Sequence, residues 1–173
     1  MGQETGYSRS YGRNPYGGYD TIEGTPFLFD GEIDGRLKPV ARVVTVSVGV
    51  SDSAYPYLEL AQQNVVHDTV GGKDIVVLWT PGTLSALDGT QIAESRDIGS
   101  TGVFVPVVEG QPITLQSLDG RFFDDQTGSE WIILGFALDG PLSGKRMEPV
   151  VHGDHFWFSW AAFRPDTKVF RAG

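Results

Sequence analysis

Apolar and polar residues alternate along much of the chain in short runs, a pattern typical of β-strands. Within residues 42–50 every second position from Val44 to Val50 is valine, and small or polar residues lie between them. This alternation predicts a half-buried strand. Residues 75–79 are apolar at every position, which predicts a central strand covered on both faces and ended by the turn residues Thr80-Pro-Gly82. Further strands are predicted near 27–29, 102–108, 112–117, 130–134 and 146–151.

Helix-forming sequence is confined to two short segments. Residues 57–63 follow Pro56 and contain good helix formers, and residues 158–163 end just before Arg164 and Pro165. Between the apolar runs, the 23 glycines and 10 prolines mark frequent turns, with Asp-Gly pairs at 30–31, 34–35, 88–89, 119–120 and 139–140. The pattern predicts a mainly β fold, either a twisted antiparallel sheet or a partly closed barrel, with a few short helices.

The first 25 residues have a different composition from the rest. Four tyrosines are spaced among serine, arginine, proline and glycine, with almost no aliphatic residue to build a core. We therefore predict an N-terminal arm or linker over residues 1–25 and one β-rich domain over residues 26–173.

Composition and charge exclude several classes of protein. The chain carries a formal charge of −9 and has no cluster of lysine and arginine, which argues against a nucleic-acid partner. No apolar run has the 18 or so residues that a membrane-spanning helix needs. Because the chain has no cysteine, it has no disulfide and no thiolate metal ligand.

Six sequence blocks carry a resemblance to a known family. They are Val65-Val-His-Asp-Thr-Val-Gly-Gly72, Val76-Val-Leu-Trp-Thr-Pro-Gly-Thr-Leu-Ser-Ala-Leu-Asp88, Ser95-Arg-Asp-Ile-Gly99, Gln126-Thr-Gly-Ser-Glu-Trp131, Gly140-Pro-Leu-Ser-Gly144 with Glu148-Pro149, and Val151-His-Gly-Asp-His-Phe-Trp-Phe-Ser-Trp160. With these blocks the chain resembles the prokaryotic family of domain of unknown function 3179 over nearly its whole length.

The resemblance implies a β-rich domain and an extracytoplasmic setting, because relatives often carry export or lipoprotein signals. Longer relatives carry two related halves, and residues 4–19 resemble the join between them, so the chain looks like a second half. Its implied partner is then another domain of a longer parent protein. Relatives often have Cys-Pro-Leu-Cys-Gly where this chain reads Trp79-Thr-Pro-Gly82, and a His-Glu pair where it reads Gln63-Asn64.

Candidate metal ligands are concentrated in residues 152–155. His152, Asp154 and His155 supply two imidazoles and a carboxylate to zinc or copper, with His67 as a fourth ligand or base. Residues three apart in a strand point to opposite faces, so the two rings meet only if the chain turns at Gly153. The alternative is a structural role, in which His152 caps a loop and the Asp154 carboxylate accepts backbone hydrogen bonds.

The aromatic residues are the other candidate for function. Tyr11, Tyr16 and Tyr19 of the arm, together with Trp79 and Trp157, are candidates for an aromatic binding surface. No complete nucleophile, acid–base pair or cofactor loop is present in the sequence, and no catalytic residue or cofactor is predicted. We therefore expect a non-catalytic binding or structural domain. The alternative is a metal-binding domain or metal-dependent enzyme that uses the cluster at 152–155.

Overall fold

The structure is a computed structural model of the chain and describes residues 26, 29–85 and 97–173. The described backbone is mostly strand, with two short helices. The strands are β1 Arg42–Val48, β2 Ser51–Pro56, β3 Val65–Val70, β4 Lys73–Thr80, β5 Ser100–Val105, β6 Val107–Val108, β7 Gln111–Pro112, β8 Leu115–Leu118, β9 Arg121–Asp124, β10 Glu130–Trp131, β11 Ala137–Asp139, β12 Glu148–Pro149, β13 His152–Phe156 and β14 Lys168–Val169. The helices are α1 Tyr57–Gln63 and α2 Trp157–Ala161.

The strands form three four-stranded sheets and one two-stranded ribbon, β6 with β7. Sheet I has the strand order β13-β1-β2-β14, sheet II has the order β12-β5-β4-β3, and sheet III has the order β11-β10-β9-β8. Neighbouring strands are antiparallel except β14, which pairs with β2 in parallel. None of these sheets closes into a barrel in the described part of the chain, so open sheets replace the barrel alternative.

Sheet II lies in the middle of the molecule because its strand β4 is apolar on both faces. Val76 and Leu78 belong to a core shared with sheet III, whereas Ile75 and Val77 belong to a second core shared with sheet I. All four side chains are fully buried, which confirms the predicted central strand. The sheets therefore stack in the order I, II, III.

Strand β1 corrects one sequence prediction. Val44 and Val46 face sheet II as the alternation predicts, but Val43 on the opposite face is also fully buried, against Trp157 of α2. The strand is thus covered on both faces over its first half. It ends at Val48, and Val50 lies in the turn that follows, completely exposed.

Both helices lie close to where the sequence predicts them. Helix α1 has the predicted bounds and starts after the extended Pro56. It is capped at its C-terminal end by Asn64, which adopts a left-handed conformation and donates its backbone N–H to Leu60 O. Helix α2 starts one residue earlier than predicted and ends at Ala161. Neither helix in the described part of the chain has the length and apolar character needed to cross a membrane.

The turn predictions hold at two hairpins. Asp119 and Gly120 both have positive φ and connect β8 to β9, as an Asp-Gly turn requires. Gly71 and Gly72 connect β3 to β4 in the same way. The predicted arm at 1–25, most of the predicted strand at 27–29 and the Asp-Gly pair at 88–89 lie outside the described residues.

Candidate functional site

A cavity of about 440 Å³ opens between helix α1, the segment 36–42 that leads into β1, and the end of strand β4. This volume is within the range of small-molecule sites in proteins. Much of its wall is apolar, formed by Leu37, Val40, Ala41, Pro56, Leu58, Ala61, Trp79 and Ile98. The cavity therefore has the size and the apolar lining of a ligand site.

Trp79 is the large aromatic residue of this wall and is held in one orientation. Its indole Nε1 donates a hydrogen bond to the carbonyl oxygen of Ile98 at 3.2 Å. Gly99 packs against the ring, and a Cβ at that position would overlap Cε2, Nε1 and Cζ2 alike. Trp79 was expected to belong to a binding surface, and the structure places it half-buried in the cavity wall.

Tyr57 and Asp154 join helix α1 to strand β13 beside the cavity. The Tyr57 hydroxyl donates to Oδ1 of Asp154 at 2.8 Å, and the Thr101 hydroxyl donates to the same oxygen at 3.2 Å. Burial raises the pKa of Tyr57 well above its ordinary value, and the negative charge of Asp154 raises it further. Tyr57 therefore remains protonated at neutral pH and holds the carboxylate in place.

Two arginines at the cavity rim are paired with carboxylates. Nε of Arg36 donates to Oδ1 of Asp34 at 3.0 Å, which lowers the pKa of that carboxyl group, and the guanidinium lies 5.0 Å from the ring centre of Trp157. Arg171 pairs with Glu59 of helix α1 at 3.4 Å. The Arg171–Glu59 pair ties the C-terminal segment to helix α1, and Nη1 of Arg36 donates to Thr167 O at 2.6 Å, which joins the segment before β1 to the C-terminal segment.

Asp97 lies on the opposite side of the rim and organises a turn. Its carboxylate accepts the backbone N–H groups of Gly82, Thr83 and Gly99 at distances of 2.7 to 3.0 Å. These hydrogen bonds lower the pKa of Asp97. Because Gly99 is also the residue that packs on Trp79, Asp97 indirectly fixes the ring.

Arg42 belongs to the described lining of the cavity. It donates to the Ser85 hydroxyl at 3.3 Å and lies 5.1 Å from the ring centre of Phe156. The other charged residues of the described lining are Arg36, Lys38, Arg171, Glu59 and Asp97.

The predicted metal ligands are not brought together. His152 and His155 lie in one strand without a turn at Gly153, so their rings are on opposite faces. His152 Nδ1 lies 2.7 Å from Val150 O, and the His155 ring packs at 5.0 Å on Trp160. Among the described residues no group of three or more histidine, aspartate and glutamate side chains is placed to hold a metal ion.

His67 lies in a different sheet from the segment 152–155. It lies on strand β3 at the edge of sheet II, and its Nε2 is 3.1 Å from both the backbone nitrogen and the carbonyl oxygen of Leu115. The ring thereby links sheet II to strand β8. Of the predicted metal ligands, only Asp154 lies next to the cavity, and there it accepts hydrogen bonds.

The aromatic predictions divide into three outcomes. Trp157, expected on a binding surface, is instead completely buried between sheet I and α2, and its Nε1 donates to Asp34 O at 3.1 Å. An enclosed ring offers no binding surface, so this prediction is wrong. Trp79 lines the cavity, while Tyr11, Tyr16 and Tyr19 lie outside the described residues.

Sequence reasoning missed the remaining cavity residues, chiefly Tyr57, Arg36 and Arg171. Arg36 and Arg171 are separated by most of the chain, and Arg171 donates to the carbonyl oxygen of Arg36 at 2.7 Å. No local pattern indicates such a contact. The one local signal was Asp97 before Ile98 and Gly99, which is typical of a carboxylate that caps a turn.

Comparison with known proteins supports the resemblance found in the motifs. No curated protein and no solved structure matches the chain. A family model described as a protein of unknown function (DUF3179) matches residues 1–167. Since this match covers nearly the whole chain, the protein belongs to the DUF3179 family.

Proposed function

We propose that this chain is a non-catalytic binding domain whose cavity holds a small, mainly apolar molecule. The observation that carries the proposal is an apolar cavity of about 440 Å³ whose wall includes Trp79, a ring restrained by its hydrogen bond to Ile98. Ligand sites typically combine such an apolar wall with a few placed polar groups.

The apolar body of the ligand would pack against the wall between α1 and β4. Leu58, Ala61 and Ile98 are part of this wall, together with the Trp79 ring. Burying apolar surface there releases roughly 25 cal/mol per Å² removed from water. A ligand of modest size therefore gains its affinity mainly from this contact.

The polar groups of the cavity support binding over catalysis. The Tyr57 hydroxyl donates to Asp154, and the Asp97 carboxylate accepts three backbone N–H groups. These hydrogen bonds hold the shape of the cavity wall. The same residues therefore favour a fixed binding site.

The setting of the domain is part of the proposal and rests on the family resemblance alone. Relatives often carry export or lipoprotein signals, and longer ones contain two related halves. We accordingly place this domain in an exported prokaryotic protein, beside another domain of a longer parent. The cavity would then be the ligand-binding site of one domain in that longer protein.

The test is a titration followed by backbone amide NMR, with cyclohexylmethanol as the probe. Saturable shifts are expected in the amides of the cavity lining. Leu58→Asp, which places a charge in the apolar wall, should weaken the binding. Leu118→Asp, a change at an exposed leucine that does not line the cavity, is the matched control.

Two results would overturn the proposal. An absence of saturable shifts with cyclohexylmethanol at millimolar concentration would rule out the cavity as a ligand site. Equal weakening by Leu58→Asp and Leu118→Asp would exclude binding against the apolar wall.

A further inference from the structure

We infer that Arg171 holds the two walls of the cavity together and so controls how fast a molecule bound there leaves. This inference rests on the proposed function, since it concerns the exchange of that same ligand. Arg171 is thereby a positioning residue, because it acts on the ligand through the walls on either side.

The cavity lies where two segments diverge from one end of sheet I. Strand β1 begins at Arg42, strand β2 ends at Pro56, and the register pairs Val43 with Pro56. Beyond this pair the segment 36–42 forms one wall of the cavity and helix α1 forms another. Among the described residues no backbone hydrogen bond joins helix α1 to residues 36–41. Strand pairing therefore holds these walls together at the sheet, and side chains must hold them further along.

Arg171 joins the two walls through a single guanidinium group. Its Nη2 donates to the carbonyl oxygen of Arg36 at 2.7 Å, and its Nη1 donates to Oε1 of Glu59 on helix α1 at 3.4 Å. All three residues belong to the cavity lining. A guanidinium is planar and rigid, so these two contacts, here called the clasp, set the distance between Arg36 and Glu59.

The backbone on both sides of Arg171 is anchored. Strand β14 pairs with β2, and Phe170 donates its backbone N–H to Ala54 O at 2.9 Å. After Arg171, the backbone N–H of Ala172 donates to Oε2 of Glu59 at 3.2 Å. These hydrogen bonds bring the guanidinium to the same place between the two walls.

The clasp lies where the cavity meets solvent. The side chain of Arg171 is 53% exposed and that of Glu59 is 19% exposed. Exposed ion pairs are weak and are screened by salt, so this contact breaks more readily than the strand pairing does. A ligand that leaves when the walls part leaves at a rate proportional to the fraction of time that the clasp is broken. Weakening the clasp should therefore speed the departure of the ligand.

The experiment measures the dissociation rate of cyclohexylmethanol from NMR line shapes and relaxation dispersion of the cavity amides. Arg171→Gln should raise this rate roughly two- to tenfold, because it removes the charge and the two-armed contact. Sodium chloride should speed dissociation from the native chain and have a smaller effect on Arg171→Gln. Since the alcohol carries no charge, screening acts on the protein and not on the ligand.

Arg164→Gln is the matched control. The Arg164 side chain is also 53% exposed and lies 3.5 Å from the carboxylate of Asp52, which is 13% exposed, but this pair is outside the described lining of the cavity. Its replacement should leave the dissociation rate unchanged, and both glutamine variants should unfold at similar urea concentrations. Arg171→Lys keeps the charge but loses the planar group, so its rate should fall between those of the native chain and Arg171→Gln.

The outcomes distinguish this inference from the proposed function. Equal dissociation rates from the native chain and Arg171→Gln would overturn the clasp and leave the cavity as a ligand site. Equal acceleration by Arg164→Gln would also overturn it. If Arg171→Gln fails to fold, Glu59→Gln removes the same ion pair from helix α1, and an unchanged rate in that variant would count equally against the clasp. An absence of saturable binding to the native chain would overturn the inference and the proposed function together.

Discussion

Asp124 and Trp131 are joined inside the core by a hydrogen bond of 2.9 Å, from the indole Nε1 to Oδ2 of the carboxylate. Each residue is about 1% exposed. The same carboxylate accepts the backbone N–H of Thr127 at 2.6 Å and the Thr127 hydroxyl at 3.0 Å. Asp124 thereby fixes both the hairpin between β9 and β10 and the largest side chain of the core between sheets II and III.

Replacing Asp124 with alanine is expected to destabilise the fold by about 2–4 kcal/mol, because it leaves a buried indole N–H without an acceptor. The free energy of unfolding in urea measures this loss. The neighbouring Asp125→Ala is the matched control; its side chain is exposed, and its replacement should change stability by less than about 0.5 kcal/mol. Similar effects of the two changes would contradict the structural role of Asp124.

Local features of the fold were predictable because they are encoded within a few residues. Pro56 and the helix formers after it define α1, and the Asp119-Gly120 pair defines the turn between β8 and β9. The continuous apolar run at 75–79 was enough to identify a strand buried on both faces. Each of these features depends on sequence neighbours alone.

Features that depend on long-range packing were not predictable. Val43 is buried because Trp157, more than a hundred residues later, covers the second face of β1. The cavity combines the segment 36–42, α1, Trp79 and Arg171, which no pattern in the sequence connects. Residues 152–155 looked like a metal site because spacing alone cannot show whether the chain turns at Gly153.

The histidines of strand β13 are expected not to form a zinc site. His152 and His155 point to opposite faces of the strand, so one ion cannot reach both rings. Elemental analysis of the untagged chain after incubation with zinc, compared with the double variant His152→Ala/His155→Ala, should find no zinc that the variant loses. One zinc per chain that disappears in the double variant would show that this segment binds metal.

Gly102 is expected to tolerate no side chain. A Cβ at this position in β5 would lie 2.5 Å from the carbonyl oxygen of Ile133, a backbone atom that cannot rotate away. Gly102→Ala should therefore lower the free energy of unfolding by roughly 1–3 kcal/mol. In Gly35→Ala, where no atom lies within 4 Å of the new Cβ, stability should stay within about 0.5 kcal/mol. Equal stability of the two variants would mean that sheet II and the segment at 133 can separate at little cost.

Tyr55 and Tyr57 are expected to make the fold less stable in alkali. Burial raises the pKa of both hydroxyls well above the ordinary value of about 10, with Asp68 and Asp154 as their hydrogen-bond partners. Above pH 10 the unfolded chain loses these two protons while the folded chain retains them, so the free energy of unfolding falls as pH rises. Below pH 10 the two tyrosines are protonated in both the folded and the unfolded chain, so their contribution to the free energy of unfolding is constant.

Urea unfolding between pH 8 and 11 measures how the free energy of unfolding changes with pH. The double variant Tyr55→Phe/Tyr57→Phe should show a smaller decrease above pH 10. If absorbance at 295 nm shows both tyrosines ionising near pH 10 in the folded chain, the two hydroxyls are less enclosed than these contacts require.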